Sequence, residues 1–160
     1  MVKNYKISTP FFEFGPKAYL YGDKLLELMK KIDTYAEKYD MDVIADVQTT
    51  DLRLIAENTS DRIHVYSQHM DSIPVGRGMG TILPEAVKAT GAVGVMLNHA
   101  ECKLTLDEIK KAIERADEVG LATIVCADTE EEIKAVAKMN PNIVVAERQP
   151  GAGRPAWKGR

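Results

Sequence analysis

The chain has 160 residues, 45% of them hydrophobic and 28% charged, with a formal net charge of -3. That length suits one domain able to bury about 70% of its unfolded surface, and that charge excludes a broad basic surface for nucleic acid. The opening Met1-Val2-Lys3-Asn4 has no signal pattern and no apolar run reaches the ~20 residues of a bilayer span, so a cytoplasmic protein without nucleic-acid or membrane partners is expected.

Along the chain, apolar runs of strand length alternate with longer segments of helical period, which predicts six βα units around a parallel sheet. Strands are predicted at 2–7, 42–47, 62–67, 93–98, 121–126 and 142–147, apolar enough to be covered on both faces. Pro16 is read as the start of the first long helix, with Leu25, Leu26, Leu28, Met29, Ile32, Tyr35 and Ala36 as its apolar stripe. Between the third strand and the next helix, Gly76-Arg77-Gly78-Met79-Gly80 fits neither a dinucleotide fingerprint nor a P-loop and reads as a turn. A later helix is announced by Thr105 and Glu108 as a capping box and stopped at Gly120, with Leu106, Ile109, Ala112, Ile113 and Ala116 on one face. Thr129 and Glu132 repeat the device, with Ile133, Val136 and Ala137 behind them. The pattern assigns 1–147 to one domain; 148–160, with four basic and no acidic residues, is expected to be a poorly ordered Gly/Pro-rich tail.

Ligands of parallel β/α folds sit at the carboxyl ends of the strands. Lys6, His99 and Glu147 fall at such ends of strands one, four and six. Each alone is an ordinary surface or structural residue, but together they supply a cation, a directional donor and a base. That set suits removal of a proton beside a carbonyl, where a preorganised donor contributes roughly 3–4 kcal/mol and a positioned base ~10²–10⁴ in rate. No metal or other cofactor is expected: His99-Ala100-Glu101 lacks the later CxxC of a zinc deaminase, and His64 and His69 read as core or supporting residues. Cys102 and Cys126 read as reduced thiols, and with no second histidine locally tied to Cys102, thiol catalysis is not expected.

Asn4-Tyr5-Lys6, Asp51-Leu52-Arg53, Tyr66-Ser67-Gln68-His69, Asn98-His99-Ala100-Glu101 and Ala146-Glu147 occur in an order and spacing by which the chain resembles the triosephosphate isomerase family, in its shorter, archaeal-type branch, from about Val2 to Glu147. The resemblance implies an α/β fold of the (β/α)8 barrel type with about six of eight units, as in a longer reading frame truncated or frame-shifted after the sixth strand. It implies interconversion of glyceraldehyde 3-phosphate and dihydroxyacetone phosphate through an enediol, impaired by the missing strands seven and eight. In that reading Glu147 is the base, His99 the neutral electrophile and Lys6 the stabilising cation. Asn4, Lys6, Gly151 and Gly153 bind substrate, and Glu101 supports the site. A four-carbon sugar phosphate as substrate and a noncatalytic partial barrel or fragment are the alternatives. The resemblance also implies a homo-oligomer through the loop at 76–80, with Phe11, Phe12 and Phe14 either in the receiving surface or packed beneath the first helix.

Overall fold

The computed structural model describes residues 5–146, so Asn4, Glu147, Gly151, Gly153 and the basic tail lie outside the described residues. In chain order the elements are β1 (Phe12–Phe14), α1 (Gly22–Lys38), β2 (Val43–Val47), α2 (Leu52–Ala56), β3 (Ile63–Ser67), α3 (Pro84–Ala89), β4 (Gly94–Leu97), α4 (Leu106–Val119), β5 (Ala122–Ala127), α5 (Glu130–Lys138) and β6 (Ile143–Ala146). The six strands pair in parallel in the order β1-β2-β3-β4-β5-β6, with helices between them. This is six units of a barrel, curled so that the sheet has an outer and an inner face.

The alternation of side chains along each strand builds two cores at once. Val43, Ala45, Val47, Val95, Leu97 and Val125 face outward and pack with Leu25, Met29, Ile109, Ala112 and Val136 of the helices. Ile44, Tyr66, Met96, Ile124 and Cys126 face inward. Every residue of β2 and β5 is buried, which explains their unbroken apolar sequence. Each Val, Leu or Ile fully buried this way contributes roughly 1.5–3 kcal/mol.

Five predicted strands agree with the structure to within a residue or two; the first does not. Residues 5–8 form no strand, and β1 instead begins at Phe12. Pro10 has no N–H to give a ladder, while Phe11-Phe12-Glu13-Phe14 beyond it carries the stronger strand propensity. Tyr5, Ile7 and Phe11 pack against the inner cluster, so the leading segment fills the barrel interior rather than its wall. The three phenylalanines thus belong to the first strand region: Phe11 points inward, Phe14 packs under the helices and Phe12 is 54% exposed.

The first helix also starts later than Pro16 suggests. Pro16 opens a turn in which its carbonyl accepts the Tyr19 N–H at 3.1 Å, and the helix begins at Gly22, whose N–H donates to Asp51 at 2.9 Å. Leu25, Met29 and Ala36 are buried as expected, but Tyr35 is exposed and stacks on Tyr39. The α4 caps form as read: Thr105 and Glu108 make a reciprocal capping box, and Gly120 closes the helix in the left-handed conformation at φ 77°. Leu106, expected on the buried face, is 45% exposed.

Gly94 is where the inner core is tightest. A Cβ added there would stand 2.2 Å from a ring carbon of the fully buried Tyr66. Gly94→Ala is therefore expected to destabilise the fold by about 1–3 kcal/mol or more, read as a lower urea midpoint; an unchanged midpoint would mean the ring moves freely.

Candidate active site

Among the described residues, hollows lie at both ends of the sheet, with two large ones at opposite ends. One, about 550 Å³, opens at the carboxyl ends of the strands and is lined by Glu13 of β1, Asp46 of β2, Gln68 beyond β3, His99 beyond β4, Cys126 of β5 and Val145 of β6. The other, about 620 Å³ and more open, lies at the amino ends among Lys6, Asp42, Arg62 and His64. Ligand chemistry in this architecture belongs to the first.

The structure thereby separates residues that the sequence reading had joined. His99 and Glu101 line the first cavity, whereas Lys6 lies at the second hollow. The five residues of β2 lie between these ends, roughly 15 Å at about 3.3 Å per residue. Lys6 is misplaced because it precedes the first strand instead of ending it. Asp42 fixes that segment: its carboxylate accepts the Ser8 N–H at 2.7 Å and pairs with Arg62 at 3.0 Å and His64 at 3.3 Å. Burial alone would raise the Asp42 carboxyl, but Ser8, Arg62 and His64 together hold it below the usual carboxylate range.

His99 owes its position to Asn98. At the end of β4, Asn98 turns the chain with φ 57°, a left-handed conformation that asparagine tolerates better than most residues. Its buried side chain donates to the Cys126 carbonyl at 2.8 Å and to Glu132 at 2.9 Å, and accepts the Leu104 N–H at 2.9 Å. The Thr129 cap forms, but the Glu132 carboxylate serves Asn98 and the Asp128 N–H rather than closing a reciprocal box. His99 Nδ1 then accepts the Glu101 backbone N–H at 3.1 Å. An accepting Nδ1 belongs to the neutral ring and leaves Nε2 carrying the proton, so the imidazole is a directional donor.

Sequence reasoning missed the cation of this cavity. Lys17, in the turn after β1, lines it and pairs with Glu101 at 3.0 Å. The Lys17 carbonyl accepts from Gln48 at 3.3 Å and from Gln68 at 3.0 Å, and Gln68 also donates to the Asp46 carbonyl at 3.0 Å. The backbone beneath the lysine is thus held by loops after β2 and β3. Its signal in the sequence was the Gly15-Pro16-Lys17 turn, read instead as a helix start. The Lys17 ammonium also holds the Glu101 carboxyl below its usual range.

Glu13 and Asp46 form a second unpredicted group. Asp46 is buried, and neither of its carboxylate oxygens has a hydrogen-bond partner of normal geometry among the described residues. Burial, with the Glu13 carboxyl beside it, pushes the Asp46 carboxyl well above the usual carboxylate range. A neutral acid at the cavity floor can donate as well as accept a hydrogen bond.

Residues 15–151 match the family model for triosephosphate isomerase, a span that includes His99, Glu101 and Glu147 and leaves out Asn4 and Lys6. The chain is 37% identical over 156 residues to triosephosphate isomerase of Sulfurisphaera tokodaii, covering 95% of this chain and 67% of the relative. It is 38% identical over 154 residues to that of Methanobacterium bryantii, with 94% and 67% covered. The chain thus spans about two thirds of the length of these curated relatives. A crystal structure of triosephosphate isomerase from Bartonella henselae superposes with TM-score 0.68 at 15% identity, over 81% of this chain and 59% of that one, a likeness of fold.

Asp46 generates a stability prediction with a definite sign. Its folded form holds a proton that the unfolded form releases above the ordinary carboxylate range, so stability falls as pH rises from there toward the raised folded value. Asp46→Asn removes that loss: the melting temperature should rise at pH 7 and change little near pH 3, where both states are protonated. Equal effects at both pH values in thermal melts would overturn this reading.

Proposed function

This chain belongs to the triosephosphate isomerase family, and on that footing we propose that it interconverts glyceraldehyde 3-phosphate and dihydroxyacetone phosphate by proton transfer through an enediol. The observation that carries the proposal is the His99 ring, whose accepting Nδ1 puts the proton on Nε2, from which the neutral ring can donate to a carbonyl oxygen. A glutamate base beside a neutral histidine is the established pairing of the family. Glu147 is assigned as the base: it follows Val145 and Ala146, which line the cavity, directly in sequence.

Lys17 takes the role that the sequence reading gave to Lys6. It stands in the same cavity as His99, and its charge offsets the negative charge that develops on the enediolate oxygen. Glu101 supports both groups, donating its N–H to His99 and pairing its carboxylate with Lys17. Asn4, Gly151 and Gly153 keep the substrate-binding role suggested by resemblance.

Self-association through the loop at 76–80 and a cytoplasmic setting are part of the proposal. Met79 and Val75 are exposed apolar side chains in and beside that loop, and an apolar residue held out to water is stabilised by a partner surface. Cys102 and Cys126 are both thiols, which suits a reducing compartment.

The test is hydrogen exchange between solvent and the substrate carbon, followed by isotope incorporation into dihydroxyacetone phosphate. Glu147→Gln should lower exchange by about 10²–10⁴ and Lys17→Met by roughly 10²–10³, whereas Lys6→Met should leave it unchanged. Loss of exchange in Lys6→Met with an active Lys17→Met would return the cation to the leading segment and overturn the assignment.

A further inference from the structure

At the mouth of the same cavity, Cys102 Sγ lies 3.9 Å from His69 Nδ1, and His69 Nε2 lies 3.5 Å from Asp71 Oδ1. His69 lies just beyond β3 and Cys102 in the loop after β4, so a sequence separation of 33 hid the pairing from local sequence reading. Both line the cavity, and Cys102 is exposed. Cys126, the other cysteine, is buried and serves as an internal comparison.

The arrangement has the order of an activated nucleophile: thiol, imidazole, carboxylate. Asp71 is held from both sides of its own residue, its N–H donating to the Ile82 carbonyl at 2.9 Å and its Oδ2 accepting the Ile82 N–H at 2.6 Å. With one carboxylate oxygen fixed, the other faces the imidazole. A carboxylate at Nε2 favours the tautomer with the proton on Nε2, which leaves Nδ1 as the acceptor facing sulfur. The His69 backbone is held too, since its carbonyl accepts the Ser67 hydroxyl at 2.7 Å.

We propose that Cys102, His69 and Asp71 form a second reactive site that captures small aldehydes as hemithioacetals. His69 Nδ1 takes the thiol proton. The sulfur forms a bond to the carbonyl carbon while the π pair of the C=O bond moves to oxygen, and the imidazolium returns the proton to that oxygen. Nothing is oxidised, no group leaves and no co-reactant is needed. A cavity of about 550 Å³ with Ile82 and Met96 among its walls accommodates a small aldehyde, and the site stands whether or not the cavity isomerises sugar phosphates. Cys102 is the residue that touches the ligand, His69 the base and Asp71 a positioning residue.

The experiment labels the full chain with iodoacetamide at pH 7 and follows the Cys102 peptide by mass spectrometry, with N-acetylcysteine as the unassisted thiol. With the His69 imidazole 3.9 Å away as its base, Cys102 should alkylate about tenfold faster than this reference. His69→Ala should fall to the unassisted rate and regain speed with added imidazole, a rescue that a merely structural role would not give; Asp71→Asn should fall between. Glycolaldehyde should slow labelling of the wild-type chain in a saturable way, and reversibly on dilution. Wild-type Cys102 reacting at the rate of N-acetylcysteine, or unprotected by glycolaldehyde, overturns the proposal, and both readings need no variant to fold.

Discussion

The arrangement of the cavity depends on the side chain of Asn98. One buried amide ties the end of β4 to the carbonyl of Cys126 on β5, to Glu132 on α5 and to the N–H of Leu104 that leads into α4. A buried polar group without partners costs roughly twice what a satisfied one contributes, so the loop from 98 to 104 is held to one course. His99, Glu101 and Cys102 all ride on that course. The cavity side chains at this corner are therefore placed by the same three hydrogen bonds, and changes to Glu132, far from them in sequence, reach them through Asn98.

The two ends of the sheet divide their labour. At the amino ends, Asp42 spends its carboxylate on Arg62, on His64 and on the Ser8 N–H of the leading segment, which ties that segment to the sheet. At the carboxyl ends Asp46 is buried without a hydrogen bond of normal geometry among the described residues, and His99 uses only Nδ1 to accept the Glu101 N–H.

Much of this was legible in the residues. Strands buried on both faces announce themselves by runs such as Val43-Ile44-Ala45 and Ile124-Val125-Cys126, and the α4 caps follow from Thr105, Glu108 and Gly120. The first strand differs because Tyr5 and Ile7 alternate as a strand would, yet they are half-buried against the inner cluster, which periodicity does not distinguish from pairing in a wall. His99 and Glu101 could be found from a local motif. Lys17, Asp46 and the His69 and Cys102 pair could not, because each depends on contacts between separate strand ends: 84 residues separate Lys17 from Glu101 and 33 separate His69 from Cys102.

The grip of Gln48 and Gln68 on the Lys17 carbonyl implies something about how such proteins can be found and how they can diverge. Because two amides from neighbouring loops fix the main chain there, the charged side chain need not be anchored by the wall of the barrel, and its address can drift along the chain while its location in space stays put. A search keyed to a basic residue inside the opening strand would pass over chains built this way.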